Sequence, residues 1–286
     1  MLASFDMNAC QPVSTPMDPK TRLVPFALPT TPAAATNDNT ALCDSPPTNE
    51  VASKPVLLDD AGRTRYQSAV GALLHAARAT RPDISFAVTA LSQFCKEPAS
   101  DHWSAVKRVF RYLRGSAHRG ITYKGSTSTT PLLFGYCDSD WAEDRFDRRS
   151  FTGYAFLIAG AAVSWACRKQ TTVALSSTEA EYMSSADAAR EAQWWRSLLS
   201  SLNLTQKKAT LLLSDNQGSI QLSQNPEGHR RTKHIDVRHH YIRECVHNGT
   251  ISVEYVNTLQ MAADVLTKPL AAPQHAVTTK LLGMTM

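Results

Sequence analysis

The chain has 286 residues, 43% of them apolar, with a formal net charge of +5 and a pI near 8.9. That length can bury one large core or two small ones, and the mild basic balance admits a polyanionic partner without requiring one. The six cysteines (Cys10, Cys43, Cys95, Cys137, Cys167, Cys245) include no Cys-x-x-Cys pair, which argues against a zinc site or a disulfide framework and for a reducing compartment. No apolar run approaches the roughly 18–20 residues of a membrane span, and the N-terminus lacks a basic-then-apolar leader. The expected setting is therefore intracellular, cytoplasmic or nuclear, with no membrane partner.

Residues 1–57 are rich in Pro, Thr, Ala, Ser and Asn. Such a stretch buries too little apolar surface to offset its ordering entropy, and it reads as a flexible segment. Residues 58–125 change character. Val70, Leu73, Leu74 and Ala77 form a helical stripe over Arg65–Ala79, Arg81-Pro82-Asp83 breaks it, and a second helix follows with Ile84, Ala87, Val88 and Leu91 inward. A third helix over His102–Leu113 sets Trp103, Val106, Val109, Phe110 and Leu113 on one side and Lys107, Arg108, Arg111 and Arg114 on the other. That basic side reads equally as a solvated face or as a contact for a duplex backbone.

From 130 to 272 the pattern is β-β-β-α-β-α-β-α, an α/β domain, with 273–286 left as a tail. Pro131–Trp141 is an apolar run ending in Asp138 and Asp140. Two strands joined near Ala159–Ala162 complete an antiparallel meander. The stretch from Ser176 to Leu202 is the plainest helix, capped by Ser177 or Thr178, with Ala180, Ser184 and Ala188 small enough for close approach to a sheet. Lys208–Asp215 is almost continuously apolar, as a central parallel strand should be. A short helix at Asn216–Leu222, a helix at Thr232–His247 in the most basic stretch, a strand at Ile251–Val256 and a short helix at Gln260–Leu266 follow.

Asp138 ends the first strand of this domain, Glu181 lies early on its first helix, Asp215 ends the buried strand, and Asp264 lies in the last short helix. Each acid alone reads as a turn or capping residue. Together they match what two divalent cations about 3.5–4 Å apart need, oxygen ligands on rigid elements, and the chemistry such a site suits is in-line phosphodiester hydrolysis. Asp140, Glu179 and Asp236 read as supporting or structural neighbours. His234, His239 and His240 lack a further ligand at metal spacing, and Ser176-Ser177 lacks a His/Asp partner.

The motifs CQPVSTPMDP (10–19), YQSAVGALLHAARATRPDISFAV (66–88), HWSAVKRVFRYLRG (102–115), YCDSDWAED (136–144), DRRSFTGYAF (147–156), SWACRKQ (164–170), ALSSTEAEYM (174–183), DNQGSI (215–220), RTKHIDVRHHYIRE (231–244) and ADVLTKPL (263–270) resemble the C-terminal part of the Pol polyprotein of copia-type LTR retrotransposons. They stand in that family's order and cover nearly the whole chain outside about 20–60. The resemblance implies a ribonuclease H-like fold, a five-stranded mixed sheet with helices, that degrades the RNA strand of RNA/DNA hybrids. It implies Mg²⁺, or Mn²⁺, at a two-metal site made by Asp138, Glu181, Asp215 and Asp264. By the same resemblance 58–125 is the thumb/connection end of a reverse transcriptase. No Tyr-x-Asp-Asp occurs in the chain, so no polymerase activity is expected of it alone, and the remaining Pol is an expected partner.

Many cellular ribonucleases H carry a His in the loop before the last helix, whereas 257–261 holds none. Selectivity for a hybrid would come from reading 2′-hydroxyls in a shallow minor groove, with Ser139, Gln170, Thr178 and Asn216 expected at that rim. Arg231, Lys233, His234 and Arg238 are expected on the DNA strand's phosphates. The competing expectation is a non-catalytic nucleic-acid-binding remnant of a decayed element. An integrase-type nuclease places its Glu on a late helix, whereas here the Glu-bearing helix directly follows the meander.

Overall fold

The computed structural model describes residues 1–21, 23–26, 55–125, 132–141, 146–224 and 241–285. Helix α1 (Asp60–Ala79) starts where the Asp59 side chain accepts the Gly62 N–H at 2.8 Å, and it buries Tyr66, Ala69, Val70, Leu73 and Ala77 at helical spacing. Pro82–Ile84 forms a 3-10 turn that leads into α2 (Ser85–Ser92), and α3 (Ser100–Gly115) buries Val106, Val109, Phe110 and Leu113. The three helices share one core.

Part of the N-terminal stretch read as flexible joins that core. Phe5, Met7 and Met17 are buried in it, and the Phe5 ring stacks on Phe110 with centroids 5.1 Å apart. Apolar anchors spaced between prolines suffice to hold such a segment without helix or strand. Two arginines of the basic side of α3 also serve it: Arg108 donates to Thr15 Oγ1 at 3.0 Å and Arg111 Nε to the Gln11 carbonyl at 2.7 Å. Lys107 and Arg114 stay exposed. Residues 27–54, the centre of the Pro/Thr/Ala-rich stretch, lie outside the described residues.

The second half forms the five-stranded mixed sheet with helices that the sequence leads one to expect. Strands β2 (Phe134–Ser139), β3 (Phe151–Ile158), β4 (Ala161–Lys169), β5 (Thr210–Ser214) and β6 (Ile251–Tyr255) make one mixed sheet in the order β4-β3-β2-β5-β6. The meander pairs antiparallel, whereas β2–β5 and β5–β6 pair parallel. Consecutive positive φ values at Ala159 and Gly160, 54° and 77°, close the β3–β4 hairpin. Both faces of β2 are covered. Cys137 packs with α4 (Ser177–Ser201), and Tyr136 packs with Met261–Leu266 on the opposite face. The period of two along a strand therefore turns the Asp138 side chain toward the 261–268 segment. Helix α5 (Gln217–Gln224) follows β5. Residues 241–247 are helical, and the rest of the expected helix at Thr232–His247 lies outside the described residues.

The C-terminal residues read as a tail are structured. Helix α6 (Ala272–Leu281) buries His275, Thr278 and Thr279, and β7 (Met284–Thr285) pairs with β1 (Gly120–Ile121). The helical region seats directly on the sheet: Trp165 Nε1 donates to the Ala77 carbonyl at 2.8 Å, and Phe86 meets Phe151 edge-on at 5.2 Å. No described helix is long and apolar enough to cross a membrane, and Cys10, Cys95, Cys137, Cys167 and Cys245 are free thiols.

Candidate metal centre

Parallel pairing sets the first two acids side by side. Tyr136 of β2 is opposite Leu213 of β5, so two residues further along in each case Asp138 and Asp215 come together just past the end of the β2–β5 pairing. Asp264 comes from a 3-10 turn, Ala262–Leu266, where the sequence reads a short helix. That turn lies against β3 at Gly153, the residue opposite Asp138; a Cβ there would sit 2.6 Å from Thr267 Cγ2 and 2.9 Å from Leu266 Cβ. Glycine at 153 is what lets the acid-bearing segment come so close.

Asp138, Asp215 and Asp264 each offer a carboxylate oxygen, and the three oxygens lie within 4.8 Å of one another. Asp138 and Asp264 are buried and Asp215 is half-buried. The Thr267 hydroxyl donates to Asp138 Oδ2, and the Thr258 hydroxyl donates to Asp215 Oδ2 at 2.8 Å. Thr258 lies in the stretch 257–261, so the loop without a histidine brings a hydroxyl to the site. The carboxylate of Asp215 is free for this because Asn216, not Asp215, caps α5, accepting the Ser219 N–H at 2.9 Å.

Glu181 lies beside the three aspartates but outside their close cluster. It reaches the site from α4, on the sheet face opposite the 261–268 segment, and it is not among the three converging carboxylates. Ser176 rather than Ser177 or Thr178 caps that helix, accepting the Glu179 N–H. The small residues of α4 act as expected: the Ser184 hydroxyl bonds the carbonyls of Asp138 at 2.7 Å and Gly153 at 3.2 Å, which locks the helix onto β2 and β3. Glu181 is buried, its Oε2 has no hydrogen-bond partner, and the Ser139 backbone N–H bonds its carboxylate.

Crowding like charges out of water raises their pKa values. Burial, then Asp138 and Asp215, push Glu181 well above the usual carboxylate range. Burial and Asp138 also raise Asp215, and they push Asp264 up to about 7 against the opposing Lys268. Sequence reading ends the last helix at Lys268-Pro269 and misses that Lys268 faces the acids: its Nζ lies 2.9 Å from Asp264 Oδ1 and 3.6 Å from Asp138 Oδ2. Burial pulls this ammonium down, but Asp138 and Asp264 outweigh it and hold it above its ordinary range. One lysine does not balance four acids. Hard oxygen donors in excess, with one buried oxygen unpartnered, fit Mg²⁺ or Mn²⁺ rather than a soft metal.

The neighbouring residues divide. Asp140 turns away: its Oδ1 accepts the Phe151 N–H and pins the loop ahead of β3. Ser139 and Gln170 are buried. Gln170 Nε2 is used by Thr152 Oγ1 and the Ala180 carbonyl, both at 3.0 Å, while Gln170 Oε1 and Ser139 Oγ have no hydrogen-bond partner. Thr178 and Asn216 flank Gly218, where a Cβ would sit 3.1 Å from Thr178 Oγ1 and 3.2 Å from Asn216 Oδ1. Arg231, Lys233, His234 and Arg238 lie outside the described residues.

No family model matches the chain. It is 38% identical over 284 residues to the retrovirus-related Pol polyprotein from transposon TNT 1-94 of Nicotiana tabacum, a match covering 99% of this chain and 19% of that polyprotein. With the corresponding polyprotein from transposon RE1 of Arabidopsis thaliana it shares 36% over 285 residues, 100% of this chain and 17% of the relative. Over nearly its whole length the chain is similar to a segment of retrovirus-related Pol polyproteins.

The chain spans less than a fifth of the length of these polyprotein relatives. Among solved structures it is similar to LC11-RNase H1 in complex with an RNA/DNA hybrid, at 12% identity and a TM-score of 0.37, over 47% of this chain and 93% of that one.

Proposed function

We propose that this chain is a metal-dependent ribonuclease H that hydrolyses the RNA strand of RNA/DNA hybrids. The observation that carries the reading is the convergence of Asp138, Asp215 and Asp264 at the shared end of β2 and β5, with Glu181 buried beside them. These four carboxylates would hold Mg²⁺ or Mn²⁺. Bound there, such cations supply activation of water and stabilisation of the leaving oxygen in in-line phosphodiester hydrolysis. The protein's own part is positioning. Thr267 and Thr258 fix the orientation of two carboxylates, Ser184 fixes the Glu181 helix to the sheet, and buried walls keep the acids in place.

Ser139, Gln170, Thr178 and Asn216 are the groups proposed to read 2′-hydroxyls. Thr178 and Asn216, which are not buried, are the more accessible of these, whereas Ser139 Oγ and Gln170 Oε1 would meet a hydroxyl only after a local rearrangement that uncovers them. Arg231, Lys233, His234 and Arg238 are proposed to meet the DNA strand's phosphates. Replacing Arg231, Lys233 and Arg238 by Ala should then flatten the salt dependence of hybrid binding by about 2–3 log-log slope units. Polymerisation is assigned to other parts of Pol, acting with this chain in the cytoplasm or nucleus.

The test uses the full chain with an end-labelled RNA/DNA hybrid, in Mg²⁺, Mn²⁺ or EDTA, beside duplex DNA and Asp138→Asn. The expected result is metal-dependent loss of the RNA strand alone, reduced on the order of a thousandfold in the variant, a few kcal/mol of transition-state stabilisation. A folded, hybrid-binding protein that leaves RNA intact in both metals would instead support the non-catalytic remnant.

A further inference from the structure

The segment 262–268 does more than deliver Asp264. Because Gly153 admits it so closely, it also carries a lysine into the acid cluster, four residues after Asp264 and one after the threonine that bonds Asp138. Lys268 Nζ contacts one oxygen of each buried aspartate, Asp264 Oδ1 at 2.9 Å and Asp138 Oδ2 at 3.6 Å. A divalent cation drawn to the same aspartates would compete with the ammonium for those two oxygens, Asp264 Oδ1 and Asp138 Oδ2. The lysine and a metal at that position therefore exclude one another. Lys268 also has a way out: its side chain is 27% exposed, against 1% for Asp138 and 4% for Asp264.

We propose that Lys268 is a resident, displaceable counter-ion. It holds Asp138 and Asp264 together while no divalent cation is bound, withdraws toward solvent when one binds, and so sets the metal concentration at which the site loads. This rests on the reading of the carboxylates as a metal site. It assigns Lys268 a positioning role, distinct from contact with substrate.

The experiment is calorimetric titration of the full chain with MnCl2, for wild type, Lys268→Met and Lys268→Arg, with thermal melting of each in EDTA. Lys268→Met should bind its first Mn²⁺ roughly tenfold tighter or more and melt lower than wild type in EDTA. Lys268→Arg should stay near wild type in both. A second readout needs no variant: acylation of Lys268 in the wild-type protein, followed by mass spectrometry, should rise several-fold on adding Mn²⁺, while distant lysines stay unchanged. Equal or weaker Mn²⁺ binding by Lys268→Met, or acylation of Lys268 that Mn²⁺ leaves unchanged or lowers, would overturn the counter-ion proposal and leave the metal site standing. Absence of Mn²⁺ binding in all three folded proteins would overturn the metal-site reading and the counter-ion with it.

Discussion

Two clusters of buried charge lie among the described residues and are built on opposite terms. Where the helical region meets α6, Arg81 and Asp83 form a two-pronged ion pair, Nε to Oδ1 at 2.9 Å and Nη2 to Oδ2 at 2.7 Å. The Tyr112 hydroxyl adds a third bond to Asp83 at 2.5 Å, and Ser116 accepts two further guanidinium hydrogens, through its carbonyl at 3.1 Å and its hydroxyl at 2.6 Å. His275 of α6 closes the group, its Nε2 3.3 Å from the Asp83 carbonyl. One cation meets one anion, and the polar atoms around them are used. At the end of β2 and β5, four acids face one lysine, and Glu181 Oε2 has no hydrogen-bond partner. The first arrangement is self-sufficient and serves as a joint. The second is incomplete without added positive charge, and such incompleteness in a buried site points to function rather than stability.

The comparison breaks most visibly at the joint. Asp83→Ala leaves the Arg81 guanidinium buried without its partner, so urea denaturation should show a loss of about 3–5 kcal/mol. A loss within 0.5 kcal/mol would mean that the joint carries little. Gly153→Val probes the other cluster through packing: the added side chain must push away Thr267 and Leu266. It should destabilise by about 1–3 kcal/mol and weaken Mn²⁺ binding as well, because Asp264 moves with that segment. Unchanged metal affinity in a destabilised variant would separate the close approach from the site.

A smaller effect sharpens the contrast through pH. Asp264 has a folded pKa of about 7 against an ordinary 3.8, and Glu181 and Asp215 shift in the same direction. A raised folded pKa means that the native state holds the proton more tightly than the unfolded chain. The stabilisation is complete below about pH 4 and is lost as pH rises through about 7. In EDTA the melting temperature should fall across that window, and saturating Mg²⁺ should flatten the fall. Lys268, shifted upward from an already alkaline value, contributes no slope there.

Much of this was legible in the residues because strand ends announce themselves. Asp138 and Asp215 each follow an apolar run, and the almost continuous apolarity of β5 marks it as a central strand whose end can lie beside that of β2, as the parallel pairing of the two strands bears out. Asp264 and Glu181 were legible as acids on helices after those strands, and the family resemblance assigned the same four residues, yet neither could show that Glu181 approaches from the other face of the sheet. Lys268 and Thr267 were invisible to local signals. A lysine before a proline reads as a helix end, and only the tertiary approach at Gly153 turns it into a charge contact. The same holds at the termini. Prolines around Phe5, Met7 and Met17 disguise a packed segment, and the small polar residues of α6 disguise a helix whose His275 and Thr278 are buried. On α3, two arginines that could face a phosphate backbone instead bond Thr15 and Gln11, partners 93 and 100 positions away that no periodicity encodes.

The central claim is that the acids are held together for a divalent cation, at a cost in stability when none is bound. Thermal melting of the full chain and Asp138→Asn, each in EDTA and in Mg²⁺ at pH 8, tests it most directly. Asp138→Asn removes one negative charge and keeps an acceptor for the Thr267 hydroxyl. The account predicts that the variant melts higher than wild type in EDTA, while Mg²⁺ raises wild type by several degrees and the variant by much less. A variant that melts lower in EDTA, with neither protein responding to Mg²⁺, would contradict it.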